Sequence, residues 1–164
     1  MGVLTLFGVF AVEKPATADE PPVYTLTPVS RLLVGPGNLA HMMSMTLHPS
    51  FIAPFLWIGD WLQREQHGPC MFEHTHGKNL WEAADGDAAF NAVVNEGMAS
   101  DSAFVMDIVI KEHGEVFRGI TSLVDVAGGN GTAERAIADC RGIPGEFDGI
   151  CDNYGKWIYI IGLS

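Results

Sequence analysis

The 164-residue chain is 48% hydrophobic, enough for one domain with a real core. Nine Lys and Arg against twenty Asp and Glu leave a formal charge of −11, which argues against a nucleic-acid partner or an anionic membrane surface. Cys70, Cys140 and Cys151 show no paired metal spacing, and their odd number suits a reducing compartment better than a disulfide framework. The N-terminal run MGVLTLFGVFAV has no basic residue ahead of it, so no secretory signal is expected. Leu6 stands where a myristoylation site would want Ser or Thr. The apolar stretch 51–62 is interrupted by Pro54 and Asp60 and falls short of the roughly 20 residues of a bilayer span. The expected location is cytoplasmic.

In chain order, residues 3–34 predict a short helix, a strand around 8–12, a polar Pro-rich turn over 14–22 and a strand over 23–26. Together these make a hairpin. Gly35-Pro36-Gly37 breaks the chain, and Asn38 can cap a helix from Leu39 to about Leu47. Pro49 suits the first turn of a second helix reaching Gln66. Phe51, Phe55, Ile58 and Leu62 recur at helical spacing and predict one buried face, with Trp57 and Trp61 on an adjoining one. Aromatic residues so spaced serve a core more often than they touch a ligand.

The stretch HGPCMFEHTH, read as a loop between helices, offers His67, Cys70, His74 and His76, which are zinc-ligand types. Their separations of two, three and one residues match no established finger or metallohydrolase pattern, so no metal is expected. Asp87 can cap a helix from Ala88 to about Lys111, with Phe90, Val94, Met98, Val105 and Val109 along one face. Gly97 and Ala99 on that helix would admit a close neighbour. His113 then falls in a loop, with only Glu112 and Glu115 as local carboxylates, and is given no catalytic role.

Residues 122–138, SLVDVAGGNGTAERAIA, carry the chemistry. A short β-branched run from Ser122 to Val126 reads as a buried strand of a parallel sheet, and a helix starts at Thr132 behind a Gly-rich turn. Glycines let backbone approach a ligand closely, and N–H groups at a helix start face the ligand's polar atoms. A dinucleotide fingerprint would want a third glycine where the chain has Glu134, whose charge would repel a phosphate at the helix N-terminus. A P-loop fails for want of Gly-Lys-Ser/Thr. An acidic strand end, glycines and a helix with no phosphate demanded resemble the first cofactor motif of S-adenosylmethionine-dependent methyltransferases. With FNAVVNEGMASDSAFVMD, VFRGITSLVDVAGGNGT, YTLTPVSRLLV and HGKNLWEAADGDAAFN in the same order and spacing, the chain is similar to plant O-methyltransferases of the caffeate and flavonoid type from about residue 3 to 139.

The resemblance implies an α/β fold with a mainly helical N-terminal part. Residues 1–35 would be a truncated winged-helix remnant that mediates dimerisation in the family. Residues 36–164 would begin a Rossmann-like methyltransferase domain, with a helical substrate-pocket part at 36–112, the first strand–turn–helix unit at 120–139 and a divergent tail at 140–164. It implies S-adenosyl-L-methionine as cofactor, held by Ser102, Asp125, Gly128, Gly129 and Gly131. A small aromatic hydroxyl substrate of phenylpropanoid or flavonoid type would meet Phe90, Val94 and Met98, although a plain packing helix accounts for those positions too. Two departures stand out: Ala127 replaces the family's usual glycine, and after Asp139 nothing matches the family's second half, which holds the catalytic histidine. No catalytic residue is therefore assigned, and the chain alone is expected to be an inactive fragment. Beyond 139 the sequence predicts a Gly-, Pro- and Asp-rich loop and then the run KWIYIIGLS, which could pair as a strand. Asp148 or Asp152 could replace the family's ribose-gripping acid, or simply form turns. The alternative function is a non-catalytic interaction protein, pairing with itself or with a full-length relative.

Overall fold

The computed structural model describes residues 1–13, 17, 21–63, 70–120, 122–141, 148–151 and 157–162. Helix α1 (Gly2–Leu6) ends in a turn where Gly8 takes a left-handed φ of +71°. That turn delays strand β1 (Phe10–Glu13), which starts after Gly8 and not at it. β1 pairs antiparallel with β2 (Val23–Leu26), Phe10 opposite Leu26 and Glu13 opposite Val23, so the expected hairpin is present. Most of its turn lies outside the described residues. Helix α2 (Pro28–Arg31) follows with a reciprocal cap: the Thr27 N–H donates to Ser30 Oγ at 2.9 Å, and the Ser30 N–H donates to Thr27 Oγ1. The Thr27 hydroxyl also donates to the Val9 carbonyl at 2.8 Å, tying the cap back to the hairpin.

Asn38 accepts from the Ala40 N–H at 2.9 Å, and helix α3 (Ala40–Thr46) begins there, one residue later than expected. The single helix expected from Pro49 to Gln66 is instead two: α4 (Pro49–Leu56) and α5 (Ile58–Leu62), with residues 64–66 outside the described range. Pro54 supplies the reason, because it lacks an N–H inside α4, and Trp57 leaves helical geometry at ψ 8° while donating to the Pro54 carbonyl. The break resets the helical phase, so the expected buried face is lost. Phe51 packs inward, but Phe55, Ile58 and Leu62 are exposed.

A helix, α6 (Met71–His76), also replaces the loop expected before His76. Cys70 Sγ accepts from the Glu73 N–H at its start, and Gly77 closes it at φ +70°. Helix α7 (Leu80–Asp85) carries a capping box of Asn79 and Glu82. Asp87 caps α8 (Ala88–His113), accepting from the amides of Ala89 and Phe90 at 3.0 and 3.1 Å. His113 is thus the last helical residue and not part of a loop. Ala83, Ala84, Phe90 and Val94 form the core with Phe51, Phe72 and Leu80 around them. Rings of Phe51 and Phe90 lie 5.8 Å apart. α3 docks on α8 at Gly97, where a Cβ would stand 2.6 Å from that of Met45, so the small residue does admit a close neighbour.

A 3₁₀ turn (Gly114–Phe117) leads to β3 (Ser122–Val126), followed by α9 (Thr132–Arg141), β4 (Asp148–Cys151) and β5 (Trp157–Gly162). The sheet order is β3-β5-β4, and both pairings are antiparallel, with Leu123 opposite Ile161 and Ile150 opposite Ile158. The expected parallel sheet is therefore not formed. The connection through α9 is long enough for a parallel crossover, but β5 returns antiparallel and lies between β3 and β4. Nor is β3 a buried strand, since Val126 is 69% exposed. The loop expected after 139 contains β4, and residues 142–147 and 152–156 lie outside the described range. The expected pairing of the C-terminal run is met by β5. No helix among the described residues is long and apolar enough to cross a membrane.

Candidate functional site

The turn from β3 to α9 is built by backbone conformations that side chains resist. Gly129 and Gly131 take φ of +61° and +74°. Ala127 stands at +64°, the one non-glycine residue with positive φ among the described residues. Left-handed backbone costs an L-residue about 1–2 kcal/mol, which gives a physical reason for the glycine usual at this place. The Gly131 N–H donates to the Gly128 carbonyl at 3.0 Å and closes the turn. Gly128 serves differently, since its φ is not left-handed. A Cβ there would meet Asp125 Oδ2 at 2.5 Å, so the carboxylate at the end of β3 folds back over the turn in space that only glycine leaves.

Between this turn and α8 lies a cavity of about 170 Å³. Asp125, Gly128 and Gly129 line it from one side, and Met98 and Ser102 from α8 on the other. Five of the eight residues singled out by sequence thus converge. Gly131 shapes the turn without lining the cavity. Phe90 and Val94 are elsewhere: Val94 is 1% exposed, and both belong to the aromatic core. Met98, at 44% exposure, is free to contact a ligand.

Trp81, Asn95, Ala127 and Thr132 also line the cavity and were not singled out as site residues. Asn95 had a legible signal, because Asn95, Met98 and Ser102 recur on one stripe of α8, beside the stripe of Phe90 and Val94. Trp81 had none, since it comes from α7 and no periodicity links it to α8.

Glu134, in the first turn of α9, departs most from expectation. Its charge argues against a phosphate at this helix start, yet the side chain is absent from the cavity lining and is 0% exposed. Neither of its carboxyl oxygens has a hydrogen-bond donor among the described residues. Burial pushes its pKa above the ordinary value, the Asp125 carboxylate beside it adds to the rise, and its own backbone amide and Arg135 act in the opposite sense.

The remaining candidates stay apart. His74 and His76 sit in α6, His76 Nε2 lying 2.8 Å from the Ser50 carbonyl. His113 Nδ1 lies 3.8 Å from Glu115 at the surface, and among the described residues no histidine lines the cavity. His67 and Asp152 lie outside the described residues, and Asp148 begins β4. Among the described residues no group of three or more His, Cys, Asp or Glu could hold a metal. One carboxylate, the hydroxyls of Ser102 and Thr132, an indole and a thioether around a glycine turn suit a partly apolar ligand carrying hydroxyls or positive charge. A pyrophosphate would meet Asp125.

The family model for the O-methyltransferase domain matches residues 55–141. The chain is 48% identical over 145 residues to O-methyltransferase ZRP4 of Zea mays, covering 84% of this chain and 40% of that protein. It is 43% identical over 144 residues to acetylserotonin O-methyltransferase 3 of Oryza sativa subsp. japonica, covering 84% and 38%. To 5-pentadecatrienyl resorcinol O-methyltransferase of Sorghum bicolor it is 39% identical over 155 residues, covering 84% and 41%. The chain thus spans about two fifths of the length of these curated relatives.

Proposed function

Since the chain belongs to the O-methyltransferase domain family, which it matches over residues 55–141, we propose that its cavity is the S-adenosyl-L-methionine site of a plant enzyme that methylates small aromatic hydroxyls. The observation that carries this reading is the convergence of Asp125, Gly128, Gly129, Ser102 and Met98 on one cavity. Bound there, the cofactor would supply a methyl group on a positively charged sulfonium. Asp125 would accept from its hydroxyl or ammonium groups, Ser102 would offer a hydroxyl, and the glycine turn would let backbone N–H groups approach. The thioether of Met98 and the indole of Trp81 suit an aromatic ring, and the resorcinol and serotonin derivatives in the relatives' names are aromatic.

Among the described residues the cavity lining holds no histidine to act as general base, an effect typically worth about 10²- to 10⁴-fold. The 164 residues alone are expected to bind cofactor without turnover. Titration calorimetry with S-adenosylhomocysteine, run beside NAD, tests the reading. Saturable heat with the first and none with the second is the expected result, while binding of NAD alone would overturn it.

A second reading rests on a separate observation. Val3, Leu6, Phe7 and Val29, at and beside the N-terminal hairpin, are all exposed. Apolar surface of that kind supports a winged-helix remnant that pairs with a second copy or a full-length relative. Sedimentation showing only monomer, with no complex on mixing, would count against it.

A further inference from the structure

Two carboxyls meet beneath the glycine turn, and only one of them reaches the cavity. Asp125, the penultimate residue of β3, lines the cavity, while Glu134 on α9 is wholly buried. An ionised Glu134 would be a buried carboxylate beside a second negative charge, with no donor among the described residues beyond its own backbone amide. A protonated Glu134 has a donor of its own, and the Asp125 carboxylate is the acceptor beside it. One proton thus removes the repulsion and gives Glu134 a donor to share with its neighbour.

We propose that Glu134 is a positioning residue for the cofactor cavity: its buried carboxyl keeps a proton and donates it in a hydrogen bond to Asp125, holding that carboxylate over Gly128 where a ligand meets it. The proposal rests on the cofactor reading above for the identity of the ligand, but the carboxyl pair itself can be tested without one. The charged groups acting on Glu134 are Asp125 from β3 and Arg135, its neighbour on α9. Among the described residues, α8 and the 3₁₀ turn, which also pack on α9, add no other. β5 contributes no charged residue by sequence, and its titratable Tyr159 stands opposite Asp125 in the register. When rising pH removes the proton, two like charges face each other and Asp125 is driven from its seat. Ligand affinity then falls on the alkaline side.

The test has two arms on the 164-residue chain. Without ligand, carboxyl-carbon NMR is recorded across pH on the wild type, Asp125→Asn and Glu134→Gln. The resonance absent from Glu134→Gln is expected to titrate above the ordinary glutamate range in the wild type and to move down in Asp125→Asn. With S-adenosylhomocysteine, calorimetry is run at pH values on either side of the Glu134 titration found in the ligand-free arm. The wild type is expected to lose about tenfold in affinity per unit of pH above the Glu134 titration. Glu134→Gln, which keeps a donor but has no proton to lose, is expected to show no such slope, and Glu134→Leu to bind weakly at both values. Ordinary titration of Glu134, indifference to Asp125→Asn, or the same slope in Glu134→Gln would overturn the proposal. An absence of binding in every variant would defeat the cofactor reading instead, with the carboxyl pair still decided by the ligand-free arm.

Discussion

The carboxylate of Asp125 fills the space that a side chain at position 128 would need, its Oδ2 lying 2.5 Å from where a Cβ would stand. Because Gly128 is not in the left-handed region, alanine there strains no backbone and acts only by pushing the carboxylate away. Gly128→Ala should therefore leave the circular dichroism spectrum unchanged and weaken S-adenosylhomocysteine binding by about tenfold or more, the worth of a hydrogen bond to a charged group. Calorimetry reads the loss, and unchanged affinity would mean that Asp125 does not meet the ligand.

Ala127 makes the opposite case, since its backbone is strained. Relieving left-handed strain contributes about 1–2 kcal/mol, and the greater freedom of glycine in the unfolded chain takes back about 0.4–1 kcal/mol. Ala127→Gly should thus stabilise the fold by up to about 1 kcal/mol in urea unfolding. A destabilisation of that size would show that the turn is not left-handed at this position.

Phe90 and Met98 separate packing from binding on the same helix. Phe90 is buried against Phe51 and Phe72, and truncating such a ring costs about 3–5 kcal/mol. Phe90→Ala should unfold the helical part, whereas Met98→Ala, half exposed at the cavity, should cost about 1 kcal/mol or less and instead change ligand affinity. Chemical denaturation followed by Trp fluorescence distinguishes them, and equal losses would place both in the core.

Much of this was legible because it is local. Asp87, Asn38 and the hairpin of β1 and β2 announce themselves through capping and turn chemistry that reads a few residues at a time. The glycine turn was legible for the same reason, whereas Met98 and Ser102 came from the family resemblance; five site residues line one cavity. What failed was non-local. No periodicity in 49–66 reveals that Pro54 and Trp57 split the helix, nor does the β-branched run at 122–126 say which way its neighbour will run. The burial of Glu134 was not legible, because charge alone does not tell whether a helical carboxylate faces a ligand or lies behind the turn.

Stability should depend on pH through Glu134. Its pKa is raised in the folded state above the ordinary 4.5, so the folded chain holds a proton that the unfolded chain releases. That contribution is fully present below the unfolded-state pKa and is lost as pH rises through the folded-state value. The thermal midpoint of the wild type should therefore fall relative to Glu134→Gln as pH increases above about 4.5, and parallel curves would contradict a buried, protonated Glu134.

The central claim is that the turn after β3 and the Met98–Ser102 stretch of α8 are the two walls of one cofactor site. An amide NMR titration of the 164-residue chain with S-adenosylhomocysteine tests it most directly, since it reads every residue at once and tolerates the weak, high-micromolar binding expected. Shifts confined to residues 125–133 and 95–102, with Phe90 and Val94 in the core and the β1–β2 hairpin unmoved, are the predicted result. No shifts at millimolar ligand, or shifts centred on the hairpin or on α4 and α6, would contradict it.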